Sequence, residues 1–280
     1  MNAESKDALA RALHDIHLAQ TAAFYDLTDK RARKRSVDDL EWLFFQLVKA
    51  VDPGVFIEAG AKDGRVSLRA RRYLPEARIV AFEANPHTFE RFLPTHVGAP
   101  NPVEYLHLAV SDRPGKLSFN IPTRIGGASI DVDVGRSSLL KRLPDPDESY
   151  VTAEVEATTL DLFFRSDAGK SNCMWVDVEG ANRDVLSGAK ETLKATQVLL
   201  IEVEDRPIWT GQWLRPDVQA FLYQVGFVPV ARDYQSRYQF NILFLRSSLI
   251  DNDRFRYLLT SYLSRIGQAS LTGRSFSNDG

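Results

Sequence analysis

Four acidic residues stand at the ends of short apolar runs. Glu58 follows Val55-Phe56-Ile57, Glu83 follows Ile79-Val80-Ala81-Phe82, Asp177 follows Met174-Trp175-Val176, and Glu202 follows Val198-Leu199-Leu200-Ile201. Carboxylates gathered on one edge repel one another. They persist where they bind hydroxyls, a cation or a sulfonium, or hold a proton. Between the first two acids runs Gly60-Ala61-Lys62-Asp63-Gly64, a glycine turn between a strand and a helix. Gly60 lets backbone approach a ligand closely, and the helix that follows points free N–H groups at it. Lys62 fills the middle slot of the three-glycine dinucleotide fingerprint, and no Gly-Lys-Ser/Thr follows, so the turn is not a phosphate loop. Glu83 stands 19 residues beyond Gly64, where a carboxylate accepts hydrogen bonds from a ribose diol. Together these features point to a nucleoside-containing cofactor held without a pyrophosphate grip.

The elements that must position these residues alternate. Strands are expected at Val55–Glu58, Arg78–Glu83, Val103–Val110, Met174–Val178 and Val198–Val203. Helices are expected at Val66–Tyr73, Pro86–Leu93, Ala181–Leu193 and Pro216–Val225. This is the pattern of a parallel sheet with helical crossovers, and ligands of such sheets bind outside the carboxyl ends of the strands. The runs Ile79-Val80-Ala81-Phe82 and Val198-Leu199-Leu200-Ile201 lack alternation, as central strands covered on both faces do. Phe227–Ala231 and Phe240–Arg246 read as a closing antiparallel pair, and Asn241 as a strand-edge hydrogen bonder.

Leu117–Phe119 and Val151–Glu156 read as short strands flanking a long loop. Residues 1–52 form a helical extension. A first helix carries Leu9, Leu13, Ile16, Phe24 and Leu27, and a second begins after Ser36 as N-cap. The basic run 30–35 reads as a solvated connection between them or as a landing strip for phosphate or an acidic substrate. The main domain spans 53–250, a last helix 251–267, and a disordered tail 268–280.

The 280 residues include 35 basic and 37 acidic ones, a formal charge of −2. That balance gives no global field for nucleic acid or an anionic membrane. The lone Cys173 excludes an intramolecular disulfide framework or a zinc ribbon and reads as a buried filler. No apolar run approaches the ~20 residues of a membrane span, and the N-terminus lacks a secretion signal, so the expected location is the cytoplasm.

The chain resembles the FkbM-type class I S-adenosylmethionine-dependent methyltransferases over about residues 55–246. Glu58-Ala59-Gly60-Ala61-Lys62-Asp63-Gly64-Arg65-Val66-Ser67 is similar to the family's glycine motif, and Phe82-Glu83-Ala84-Asn85-Pro86 to its second motif. Ala109-Val110-Ser111-Asp112, Thr159-Leu160-Asp161 and Asp177-Val178-Glu179-Gly180-Ala181 resemble later ones in order. The resemblance implies an α/β fold with a Rossmann-like seven-stranded sheet, mostly parallel with an antiparallel closing strand. It implies S-adenosyl-L-methionine as cofactor, with a binding set of Glu58, Gly60, Ala61, Gly64, Ser67, Glu83, Asn85, Val110, Ser111 and Asp177. Glu83 would hold the ribose, Val110 and Ser111 would lie beside the adenine, and Gly60 would pass under the methionine part. Four departures stand out: Lys62, Ala84, Trp175 in place of a Lys, and Asn182 in place of a Glu. The last two are expected to alter the floor of the acceptor site.

The expected reaction is O-methylation of a hydroxyl on a carbohydrate or other small molecule, with Asp177 or Glu179 as base and His87 as a less favoured choice. No metal is assigned; an alternative places a divalent cation on Asp177 and Glu202. His14 and His17 read as packing or surface residues. Two other functions stay open: a catalytically degenerate cofactor-binding or scaffold protein, and a nicotinamide-dependent oxidoreductase. The N-terminal helices either cap the acceptor site or form a homodimer.

Overall fold

The computed structural model describes residues 3–96, 102–132 and 135–273. Two helices come first, α1 (Ala3–Thr21) and α2 (Lys30–Val51). The Asp29 carboxylate accepts from the N–H groups of Arg31 and Ala32, so α2 is capped seven residues earlier than Ser36. Ser36 is buried within the helix, donating to the Arg33 carbonyl and accepting from the Tyr234 N–H. The basic run therefore forms the first turns of α2, and Arg33 is spent on the Leu27 carbonyl and Lys34 on Asp38.

From Val55 the chain forms β1 (Val55–Ala59), α3 (Arg65–Tyr73), β2 (Arg78–Glu83), α4 (Pro86–His96), β3 (Glu104–His107) and β4 (Ala109–Val110). An insertion follows, built of β5 (Gly115–Ile125), β6 (Ala128–Ser129) and β7 (Ser149–Thr158). The chain then returns through α5 (Leu160–Phe163), β8 (Asn172–Val176), α6 (Asn182–Ser187), α7 (Lys190–Ala195), β9 (Thr196–Glu204), α8 (Arg215–Gln224), β10 (Phe227–Arg232) and β11 (Gln239–Arg246). The last helix is α9 (Asp253–Gly273).

Seven strands form one sheet in the order β10-β11-β9-β8-β1-β2-β3, with only β11 antiparallel to its neighbours. This is the expected mostly parallel α/β sheet with an antiparallel closing strand. Strand order reverses between β1 and β8, the place where such sheets open a crevice. A second sheet, β4-β7-β5-β6, was not foreseen. Val103–Val110 is not one strand, because β3 pairs with β2 while β4 crosses to β7. The expected helix over 181–193 is two short ones, broken where Gly188 passes so close to Ser111 that a Cβ would sit 2.2 Å from its carbonyl oxygen.

Each central strand buries both faces. On β9, Val198 and Leu200 join Phe44, Phe56 and Trp175 under α2, while Leu199 and Ile201 join Ile57, Met174 and Leu222 on the other side. Burying each such side chain contributes roughly 1.5–3 kcal/mol, which fixes the strand tips as a rigid rim. α9 packs on α2 through Arg265 to Asp39 at 2.6 Å and continues past Ile266 to Gly273; residues 274–280 of the expected tail lie outside the described residues. Among the described residues, no helix is long and apolar enough to cross a membrane.

Candidate active site

Strand register draws a single line of residues across the rim. Ala59 pairs with both Phe82 and Val176, and Val176 pairs with Ile201. One residue further along each strand stand Glu83, Gly60, Asp177 and Glu202, and Glu202 pairs with Asn241 on β11. Side chains two residues apart share a face, so this row lies on the face that carries Ala81, Trp175 and Leu200. Glu58 belongs to the same face one step deeper.

A cleft opens on this row. Gly60, Glu83, Asn85, Val110, Asp177 and Glu179 line it, with Phe82, Leu108 and Phe119 as an apolar wall. The insertion roofs it. Asn85 Nδ2 donates to the Val132 carbonyl at 2.7 Å and to Ser137 Oγ at 3.1 Å, and Ser138 Oγ donates to the Glu179 carbonyl at 2.7 Å. The loop is thus fastened on both banks of the cleft. Ser137 and Leu139 also line the cleft, and in the sequence nothing separates them from the rest of the long loop.

Glu83 is 7% exposed and accepts from the N–H groups of Lys62 at 2.7 Å and Asn85 at 2.6 Å. These two donors fix its carboxylate at the edge of the cleft. Burial pushes its pKa up to about 7. Glu58 plays another part. It is buried, accepts the Ser67 N–H at 2.9 Å in the first turn of α3, and does not line the cleft; burial raises its pKa to about 8. Ala61, Gly64, Ser67 and Ser111 are likewise not lining residues. They form the turn and the packing behind the wall, with Ala61 N–H donating to the Phe82 carbonyl at 2.8 Å and Ser111 N–H to the Thr158 carbonyl at 2.9 Å.

Asp177, Glu179 and Glu202 converge at the other end of the row. One carboxylate oxygen of each lies within 4.8 Å of the others. Burial raises all three: Asp177 upward against its hydrogen bond with Glu202 and the pull of Lys62 and Arg65, Glu179 to about 8 against Arg136 and Arg142, and Glu202 well above the carboxylate range beside its negative neighbours. Glu179 also holds a left-handed backbone at φ +48°. Gln239 Nε2 donates to Glu202 Oε2 at 2.9 Å.

The two departures expected to shape the acceptor floor do different things. Trp175 is buried under α2, its ring edge-on to Phe44 at 5.3 Å, and does not line the cleft. Asn182 is buried and ties its Nδ2 to the Glu202 carbonyl at 2.7 Å. Asn241 bonds Asp233 through Nδ2 at 2.8 Å, and His14 bonds the Tyr223 hydroxyl at 3.0 Å.

The cleft suits a nucleoside with an amino-acid tail. It offers a fixed carboxylate for a diol, an apolar wall for a base, and bare backbone at Gly60, where a Cβ would collide with the Asp177 carbonyl. Residues 58–241 match the family model of the methyltransferase FkbM domain. The chain is similar to the 2-O-methyltransferase NoeI of Sinorhizobium fredii, 29% identical over 172 residues, which cover 59% of this chain and 69% of NoeI. It is similar to the hexuronic acid methyltransferase AglP of Haloferax volcanii, 28% identical over 46% of this chain and 48% of AglP. Among solved structures, the 1,6-didemethyltoxoflavin-N1-methyltransferase of Burkholderia thailandensis aligns at 11% identity and a TM-score of 0.40, covering 88% of this chain and 91% of its own. With the match spanning well over half its length, the chain belongs to the FkbM methyltransferase family, whose domain uses S-adenosylmethionine.

Proposed function

We propose that this protein methylates a hydroxyl group of a carbohydrate or a related small molecule. The observation that carries the reading is the row Glu83–Gly60–Asp177, which puts a diol holder, a side-chain-free cradle and an acidic acceptor end along one cleft. The relatives NoeI and AglP, a 2-O-methyltransferase and a hexuronic acid methyltransferase by name, support the acceptor class. S-adenosylmethionine, when bound, supplies an already activated methyl group.

The chain's own residues then bind, align and exclude water. Glu83, held by two backbone N–H groups, accepts from the ribose hydroxyls. Val110, Leu108 and Phe82 cover the base, and Gly60 leaves room for the methionine part. Asp177 or Glu179 orients the acceptor hydroxyl and takes its proton, and a carboxyl raised by burial is matched to that work near neutral pH. The roof at Ser137 and Leu139 keeps water from the reacting atoms. Neither alternative read from the sequence is favoured: family membership supports neither a nicotinamide enzyme nor a degenerate module.

Further parts of this reading are a catalytic domain over 53–250, flanked by the extension 1–52 and the last helix, a cytoplasmic location, and a homodimer through α1, where Leu13 and Ile16 are exposed. The test is direct. Calorimetry should give micromolar binding of S-adenosylhomocysteine, and mass spectrometry should find a 14-Da gain on a hydroxyl in a panel of neutral and uronic-acid glycosides. Absence of binding by the intact protein overturns the proposal.

A further inference from the structure

The acidic end of the row has the spacing of a cation site. Oxygens that share one ion at about 2.0–2.6 Å can lie no more than about 4–5 Å apart, and Asp177, Glu179 and Glu202 place one oxygen each within 4.8 Å of the others. The trio is held by separate elements. Asp177 stands just past β8 with its N–H on the Ala59 carbonyl at 2.9 Å, Glu202 lies within β9, and the Glu179 carbonyl is fastened by Ser138 Oγ.

Buried oxygens with no donor stand beside it. Glu204 is 0% exposed and Asn182 1%, yet Glu204 Oε1 and Asn182 Oδ1 have no hydrogen-bond partner. Asn182 is bonded to the Glu202 backbone, and Glu204 sits two residues beyond Glu202 on the same face of β9, where its charge acts on both Glu179 and Glu202. The charges felt most strongly by Glu202 are all negative, whereas Lys62 and Arg65 act on Asp177 and Arg136 and Arg142 on Glu179. Unsatisfied oxygen acceptors around clustered carboxylates ask for a positive, oxygen-seeking partner with its own water shell. No nitrogen or sulfur ligand belongs to the trio, which selects a hard ion.

We propose that Asp177, Glu179 and Glu202 bind one hard divalent cation of the Ca²⁺/Mn²⁺ class, which holds an acceptor oxygen at the end of the cleft. The site is defined by the carboxylates themselves, while its role in positioning the acceptor rests on the function proposed above.

The experiment uses the full chain stripped with EDTA. Mn²⁺ is titrated with electron paramagnetic resonance detection, and S-adenosylhomocysteine binding is measured on the same sample. One saturable Mn²⁺ site per chain is expected, weakened at least tenfold in Glu202→Gln and in Glu179→Gln, with thermal melts confirming that both variants fold. If one variant fails to fold, the other and the parent protein carry the test. Absence of saturable Mn²⁺ binding, or binding that neither variant weakens, overturns the proposal. Nucleotide binding without Mn²⁺ binding refutes the cation alone. Mn²⁺ binding without nucleotide binding supports the cation site and refutes the methyltransferase reading.

Discussion

A Cβ atom on Gly60 would sit 1.7 Å from the carbonyl oxygen of Asp177 and 2.7 Å from its carbonyl carbon. Gly60 also holds φ +81°, a conformation that L side chains rarely adopt. The tips of β1 and β8 thus approach backbone to backbone. Gly60→Ala should destabilise the fold by about 3 kcal/mol through strain and forced separation of β1 from β8. It should also abolish measurable S-adenosylhomocysteine binding. Urea unfolding and calorimetry on the same preparation check both effects.

Glu83 tests the ribose assignment. Hydrogen bonds to a charged group contribute about 1.5–3 kcal/mol, so Glu83→Ala should weaken S-adenosylhomocysteine binding by roughly ten- to a hundredfold. Glu83→Gln keeps an oxygen for the Lys62 or Asn85 N–H and should lose less. Equal affinity in all three proteins would remove Glu83 from the cofactor site.

Much of this site is legible in the sequence because apolar runs ending in an acid can be read directly. What the spacing does not give is strand register. Glu58 and Glu83 look equivalent as strand-end acids, yet Gly60 is the residue level with Glu83, and Glu58 falls one step deeper, where it caps α3. The second sheet is hidden for a related reason. β5 and β7 are legible only as the shorter strands Leu117–Phe119 and Val151–Glu156, and they pair across the long loop between them, a contact that spacing along the chain does not reveal. Ser36 misleads because it is a good capping residue, whereas Asp29, seven residues before it, supplies the two accepting contacts.

Stability should fall as pH rises above neutrality. Glu58 ionises near 8 in the folded chain, raised by burial and by Asp63 and Asp177 despite the Ser67 N–H, against 4.5 when unfolded. Between those values the folded state holds a proton that the unfolded state has released. Unfolding free energy therefore drops with pH through this window, by up to about 1.4 kcal/mol per pH unit for one such group. Glu83 and Glu204 near 7 and Glu179 near 8 act with the same sign. The thermal midpoint of the ligand-free protein should be lower at pH 8.5 than at pH 7. Glu58→Gln, which can still accept from Ser67, should flatten that slope and gain most at pH 8.5. A slope unchanged by the substitution would mean that Glu58 ionises normally in the fold.

Trp175 separates packing from acceptor choice. It is 7% exposed, meets Phe44 edge to face under α2, and stays outside the cleft although Asp177 is only two residues away. The strand ends between them, so Asp177 reaches the rim while Trp175 remains beneath it. Replacing it with Ala should cost about 3–5 kcal/mol by leaving a cavity. Trp175→Phe retains an aromatic ring against Phe44 and should cost less than the Ala variant. In the Phe variant, nucleotide affinity and the order of preference among glycoside acceptors should match the parent protein, measured by calorimetry and by methyl incorporation. A changed acceptor order with unchanged stability would place Trp175 in the acceptor floor after all.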